Sequence, residues 1–358
     1  MKHNFKILIR KCEFRVILVL LLVALFILFF GGVYAYYLIG NDWGYIDSTG
    51  TFIIKPKYDD AYPFYNNVAT VMYNCVGSKW ALIDKNGTFI VNNTGRIHNC
   101  SEGLSRFIKD GKYGFYNYHG DIVIKPIFDD AGPFFSEGLT YYLSNSKYGY
   151  INESGNIVIQ ANYEIANSFH EGLAVIYIDS KCGVIDKNAN LVILPNFSEI
   201  SNFHDGLAYA KIQSNTLDYD ENKYGYINNK GDFVIPPTYD SAGQFFEGRA
   251  FVKVNNKYGI IDKQGNYVVN PKYDYINDFH EGYALVNMNG KCGYIDINGD
   301  VAIELKYDQA KNFNEGIAAV KINAKWGYIN ELGNLIIEPQ FKECSDFSDG
   351  LAAVKITK

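Results

Sequence analysis

Carboxylates at recurring positions are the groups in this chain best placed to do chemistry. Adjacent pairs stand at Asp59-Asp60 and Asp129-Asp130, and an acid precedes glycine at Glu102, Glu137, Glu171, Asp205, Glu247, Glu281, Glu315 and Asp349. Glycoside hydrolysis uses such pairs, one carboxyl to protonate the leaving group and one as nucleophile or base. An active site, however, needs one pair set apart in an asymmetric pocket. An acid at the same place in every unit is more simply a turn element accepting backbone N–H bonds. His170, His204 and His280 share the position directly before that acid. Successive units would hold three imidazoles too far apart for one ion, which leaves a solvated turn. No Ser/His/Asp context, phosphate-binding glycine loop or zinc spacing is present. The sequence therefore offers no catalytic residue, no metal site and no call for a cofactor.

The elements that carry these acids come from a repeat. A phrase whose clearest copy is Lys325-Trp326-Gly327-Tyr328-Ile329-Asn330 occurs nine times, anchored at Trp43, Trp80, Tyr113, Tyr148, Cys182, Tyr224, Tyr258, Cys292 and Trp326. The anchors are spaced 37, 33, 35, 34, 42, 34, 34 and 34 residues apart. A steady period of this size marks stacked supersecondary units, so residues 41–358 form one continuous array. Phe64, Phe135, Phe169, Phe203, Phe245, Phe279, Phe313 and Phe347 fall two residues before the acid position, with Cys100 in the ninth copy. An apolar ladder at a fixed repeat position buries against neighbouring units. The position held by Tyr58, Tyr163, Tyr239, Tyr273 and Tyr307, with Phe128, Phe197 and Phe341 as variants, reads the same way.

One repeat shows the grammar. Residues 257–262 alternate as a half-buried strand, and Gly265 serves a tight turn. A second strand follows at 267–270 and is expected to stop at Pro271, which cannot donate to a ladder. Residues 272–282 then read as a compact connection, and a third strand begins at Tyr283. A three-stranded unit of this size cannot bury both faces, so neighbours must stack. The array starts on an anchor strand and ends on a spare third strand at 351–355. Pairing those ends would close a propeller-like ring and remove both edges, which is favoured over an open β-solenoid with polar caps.

The Trp-Gly-Tyr-Ile-Asp phrase, the Pro-x-Tyr-Asp element and the Phe-x-Glu-Gly-Leu-Ala element together resemble the WG (KWG) repeat family of largely bacterial proteins. The resemblance runs from Trp43 to the C-terminus and implies β-rich repeats, often on exported or membrane-linked proteins, with no single activity. Six of nine tryptophan positions here carry Tyr or Cys. Repeat two departs further, with Ala81 for glycine and no Pro-x-Tyr-Asp element.

Location is read from the N-terminus. Residues 1–15 hold Lys2, Lys6, Arg10, Lys11 and Arg15 against Glu13, and residues 16–39 carry no charge. About 20 apolar residues cross a bilayer, so 16–39 is expected to be a single-pass signal anchor with the basic tail cytoplasmic and the repeats outside. The alternative is secretion after cleavage near Ala35. With +4 in the tail, the whole-chain −6 leaves −10 for the rest. An acidic array without Lys/Arg clusters argues against nucleic acid as a partner. Five cysteines lie beyond the tail, of which Cys182 and Cys292 read as small buried hydrophobes, and Cys75 and Cys100 could pair in an oxidising compartment. An insertion at 213–222 produces the 42-residue spacing, and insertions in arrays often bind. Its Asp218, Tyr219, Asp220 and Glu221 are the candidate contact residues, though the full spacing of a Ca²⁺ loop is lacking. The sequence thus points to a membrane-anchored, extracytoplasmic, non-enzymatic binding or scaffold module for protein partners. An envelope carbohydrate-binding module is the alternative, and a glycosidase the second.

Overall fold

The computed structural model describes residues 42–74, 79–94, 96–98, 102–212 and 223–356, which belong to one compact unit. The expected anchor 16–39, the pair Cys75 and Cys100, and the insertion residues Asp218, Tyr219, Asp220 and Glu221 lie outside the described residues. Among the described residues there is no helix, and none long and apolar enough to cross a membrane.

Six of the nine units form four-stranded sheets where the sequence predicts three; two more share a seven-stranded sheet from Ile165 to Tyr239, and the described residues of blade 3 give three strands. Blade 8 runs Tyr275–His280, Tyr283–Met288, Lys291–Asp296, Val301–Tyr307 in consecutive antiparallel order. The residues read as a connection, here Tyr275–His280, form the extra strand. In several blades it shrinks to two residues, as at Asp60–Ala61 and Ile165–Ala166. So short a strand leaves no period-two pattern to read. Side-chain bonding from Asn277 Nδ2 to Asn312 Oδ1 at 2.8 Å joins the first strands of blades 8 and 9, so these strands approach one another at the ring axis. The fourth strand alternates exposed and buried side chains and forms the outer edge.

The prolines are also placed differently from expectation. Pro271 lies inside Tyr267–Tyr273, because the outer strand has an open edge toward which a missing N–H costs nothing. It sits in an irregularity that explains the glycine of the repeat phrase. Tyr258 pairs with Tyr273 and Ile260 with Val269, so four residues of the outer strand span two of its neighbour. The bulged backbone rides over Gly259, where a Cβ would meet the Val269 carbonyl oxygen at 2.5 Å. Blade 2 takes one residue fewer, Trp80 pairing with Thr94 and Leu82 with Val91, and there Ala81 replaces the glycine.

The ring closes on itself. Trp43–Ile46 pairs antiparallel with Ala352–Lys355, giving a four-stranded blade 1 built from both ends of the array. Each of the nine blade interfaces has its own apolar cluster. The 1/2 cluster combines Tyr45, Phe64 and Ala353, and the 9/1 cluster combines Tyr328, Phe347 and Ile46. The fold is therefore an all-β, propeller-like ring. The phenylalanine ladder is buried throughout, from 0% exposure at Phe64 to 4% at Phe279. The tyrosine after the glycine is a second buried peg: its hydroxyl donates to the carbonyl seventeen residues on, as Tyr226 does to Gly243 (2.9 Å) and Tyr328 to Ser345 (2.9 Å). Burial of so large a ring is tolerated because its one polar atom is satisfied.

Candidate functional site

The recurring acids form clasps between blades. Each follows the first strand of its blade, on one face of the ring, and accepts the backbone N–H of the corresponding turn in the next blade. Glu137 takes Gly172 N at 3.0 Å, Glu171 takes Gly206 N at 2.9 Å, and Glu247 takes Gly282 N at 2.9 Å. Glu102 and Glu281 each take two, from Glu137 and Gly138 and from Glu315 and Gly316. Asp205 and Glu315 clasp Gly248 and Gly350, and Asp349 carries the pattern across the closure to Asn67 N at 2.7 Å. The acids are turn elements, as the repetition suggests, but for the neighbouring turn rather than their own. Left-handed φ near +50° at each acid aims its side chain across the interface.

A second set of acids staples the opposite end of several blades. Asp274 pairs with Lys257 at 2.5 Å and accepts Asn289 N, and Asp308 does the same with Lys291 (2.8 Å) and Asn323. Asp129 of the Asp129-Asp130 pair binds Lys112, and Asp130 lies 3.7 Å from Arg106. These lysine and amide partners hold Asp240, Asp274 and Asp308 below the usual carboxylate range. Such acids are stabilisers and make poor proton donors.

The histidines lie closer together than their spacing implies. His170 and His204 meet across blades in a tilted pair with ring centroids 5.0 Å apart, and Phe246 intervenes before His280. Burial holds both imidazoles below their ordinary value, and for His204 the neighbouring His170 adds to it. Among the described residues no three metal-ligating side chains converge. Burial raises Asp60, and it raises two further carboxyls, Asp278 to about 6 and Asp346 in the same direction. The latter two occupy the first strand of blade 8 and the turn after the first strand of blade 1, with blade 9 between.

The repeat anchors sit at the start of the third strand of each blade, paired on one side with the second strand and on the other with the outer one, as Tyr258 is with Lys253 and Tyr273. Trp43, Trp80, Cys182 and Cys292 are buried, whereas Tyr113, Tyr148, Tyr224, Tyr258 and Trp326 are half-buried. Several are capped by a lysine from the facing strand, as Lys355 over Trp43 at 5.7 Å and Lys321 over Trp326 at 5.6 Å. Cys182, Cys292 and Cys344 are buried free thiols.

One interface breaks the pattern. Between blades 2 and 3 the acid position holds Asn66, and no carboxylate from blade 2 reaches the Glu102-Gly103 turn among the described residues. Among the described residues the apolar cluster there has four buried members, Trp80, Leu82, Ile97 and Phe107. A groove of about 730 Å³ opens at this place, lined by Asn66, Asn67, Asp84, Ile90, Glu102, Gly103 and Tyr118. The Tyr118 ring is 48% exposed and lies 4.0 Å from the point where a Gly103 Cβ would sit. Toward the axis a smaller cavity of about 200 Å³ meets Arg96, His98 and Phe134. There Arg106 donates to the Ala131 carbonyl and, at 2.9 Å, to His98 Nε2. Arginine only donates, so His98 carries its proton on Nδ1. Burial and the two arginines push His98 down to about 4. Ala81 and the missing Pro-x-Tyr-Asp element signal this notch in the sequence, and Asn66 in the acid position completes the signal.

Comparison with known proteins follows the same division. The family model described as the WG containing repeat matches residues 43–75, 113–148, 148–182, 183–215, 224–258, 258–292, 293–326 and 326–358, passing over 76–112. No curated protein matches the chain. Among similar solved structures, one described as the crystal structure of the eukaryotic initiation factor has 11% identity and a TM-score of 0.57, over 87% of this chain and 97% of that one. BamB from Moraxella catarrhalis has 12% identity and a TM-score of 0.43, over 84% and 94%. Dihydro-heme d1 dehydrogenase NirN has 10% identity and a TM-score of 0.46, over 82% and 76%. At such identity the first is a likeness of fold alone.

Proposed function

Because the chain belongs to the WG containing repeat family, we propose that its ring is a non-enzymatic binding and scaffold module that receives a protein partner at the notch between blades 2 and 3. One observation carries this reading: the notch combines a clasp missing among the described residues with an open groove, in a repeat that also lacks the glycine and the Pro-x-Tyr-Asp element. The recurring acids elsewhere are committed to backbone amides or lysines, which leaves them little role in catalysis. The uncharged segment 16–39 would anchor the module as a single-pass protein with the ring outside the cytoplasm. The insertion carrying Asp218, Tyr219, Asp220 and Glu221 is a second, independent contact place.

The exposed Tyr118 ring beside Asn66, Asn67 and Asp84 favours one further reading, an envelope glycan stacked on the tyrosine. Capture by the full-length chain from envelope extract tests both, using wild type, Tyr118→Ala and a form lacking 213–222. A protein partner lost with Tyr118→Ala and kept in the deletion is the expected result. Glycan enrichment without protein would move the conclusion to sugar binding, and a partner indifferent to Tyr118→Ala would overturn the notch as the site.

A further inference from the structure

We propose that the blade 2/3 notch is a receptor for a carboxylate, filled by an Asp or Glu side chain of the partner; this deepens the notch reading and depends on it. The ring supplies its own template. At the other eight interfaces an amide of the acid-glycine turn, or of Asn67 at the equivalent place, donates to a carboxylate from the preceding blade at 2.7 to 3.0 Å. The Glu102-Gly103 turn has the same backbone, φ +47° and +81°, against +54° and +79° at Glu137-Gly138. No hydrogen bond from its amides occurs among the described residues, and the turn lines the groove together with Asn66. A turn with two N–H groups directed at one point favours an anionic oxygen.

The acidity of the surroundings does not exclude such a ligand. The Glu102 carboxylate already accepts Glu137 N and Gly138 N, and Asp84 Oδ1 accepts Asn86 N and Thr88 N. Clasps elsewhere follow one another in the same way, Glu137 on Gly172 and Glu171 on Gly206, so an incoming carboxylate repeats an arrangement the ring already tolerates. Tyr118 forms an adjacent wall suited to the methylenes of the acidic side chain. Asparagine at position 66 matches the length of Asp205 and Asp349, which clasp elsewhere, but carries no charge and makes no bond to the Glu102-Gly103 turn among the described residues, which leaves the position open to an acid supplied from outside.

The test uses full-length chain labelled with ¹⁵N-glycine, read by amide NMR at Gly103. Asn66→Glu supplies the carboxylate in cis. It should shift the Gly103 amide proton downfield toward the clasped glycines and slow its exchange by about tenfold or more, as a bond to a charged acceptor does. Asn66→Gln should do neither. N-acetylglutamate methylamide should move Gly103 in wild type and lose that effect in Asn66→Glu, and N-acetylglutamine methylamide should leave Gly103 in place. Glucuronate moving Gly103 where the glutamate derivative does not would overturn a protein source for the carboxylate. A Gly103 amide indifferent to Asn66→Glu, or moved equally by the glutamine derivative, overturns the receptor itself. Partner capture sensitive to Tyr118→Ala beside an indifferent Gly103 would leave the binding site standing and remove only its proposed chemistry.

Discussion

Replacing Gly327 with alanine tests the physical origin of the repeat phrase. The new methyl carbon would lie 2.5 Å from the Ile337 carbonyl oxygen, 2.8 Å from Pro339 N and 3.0 Å from the Glu338 carbonyl carbon. All three are backbone atoms of the bulged outer strand, so no side chain can swing aside. Overpacking of this kind costs about 1–3 kcal/mol, and the rigid neighbours argue for the upper part of that range. Alanine restricts the unfolded chain and returns about 0.4–1 kcal/mol. The expected net loss is about 2 kcal/mol. Ala81→Gly is the paired control, because the shorter bulge of blade 2 leaves room for a methyl group. Removing that buried methyl costs about 0.8 kcal/mol in burial, with a further ~0.4–1 kcal/mol from chain entropy. Both substitutions should thus destabilise although they are chemically opposite. Urea unfolding followed through Trp326, next to the substituted glycine, provides the readout. Gly327→Ala as stable as wild type, or more so, would refute the clash argument.

Four further outcomes are expected. Tyr226→Phe should cost about 1 kcal/mol in urea unfolding by removing the hydroxyl that reaches Gly243, with little packing loss, since Phe115 fills the same place in blade 3. Deleting 351–358 should open the ring, because Ala352, Ala353 and Val354 are fully buried and Trp43–Ile46 would lose a partner strand; retention of a sharp unfolding transition would count against closure. Asp278 binds its proton more tightly folded than unfolded, so its contribution falls as pH rises from about 4 to about 6 and stays lost above. Asp278→Asn should therefore raise the melting temperature at pH 7 relative to wild type and flatten that interval, and equal stability at pH 7 would contradict the burial argument. Asp349→Asn should weaken the clasp on Asn67, seen as faster exchange of that amide.

The sequence made the ring legible because closure and period are matters of counting. An anchor strand at Trp43 with no predecessor and a spare strand at 351–355 fit together as their order implied. The fourth strand was not legible: two residues such as Ser241–Ala242 carry no pattern, and the outer strand continues through a proline that ordinarily ends one. The acids could be assigned to turns from repetition alone, but a one-dimensional pattern does not say whether a carboxylate binds its own turn or the next. The tyrosine pegs could not be picked out in sequence, because the carbonyl that satisfies each buried hydroxyl lies seventeen residues away. The notch was half visible, in Ala81 and the absent Pro-x-Tyr-Asp element; Asn66 gained meaning only once its equivalents were seen clasping the next blade.

The central claim is that the unclasped interface is where this protein binds. A photo-crosslinking residue placed at position 118, and in a second full-length protein at position 263, the same turn position in clasped blade 7, tests it most directly. The account predicts a partner crosslinked from 118 and not from 263, with the 118 crosslink lost on Asn66→Glu. Equal crosslinking at the two positions, or a 118 crosslink unaffected by Asn66→Glu, would contradict it.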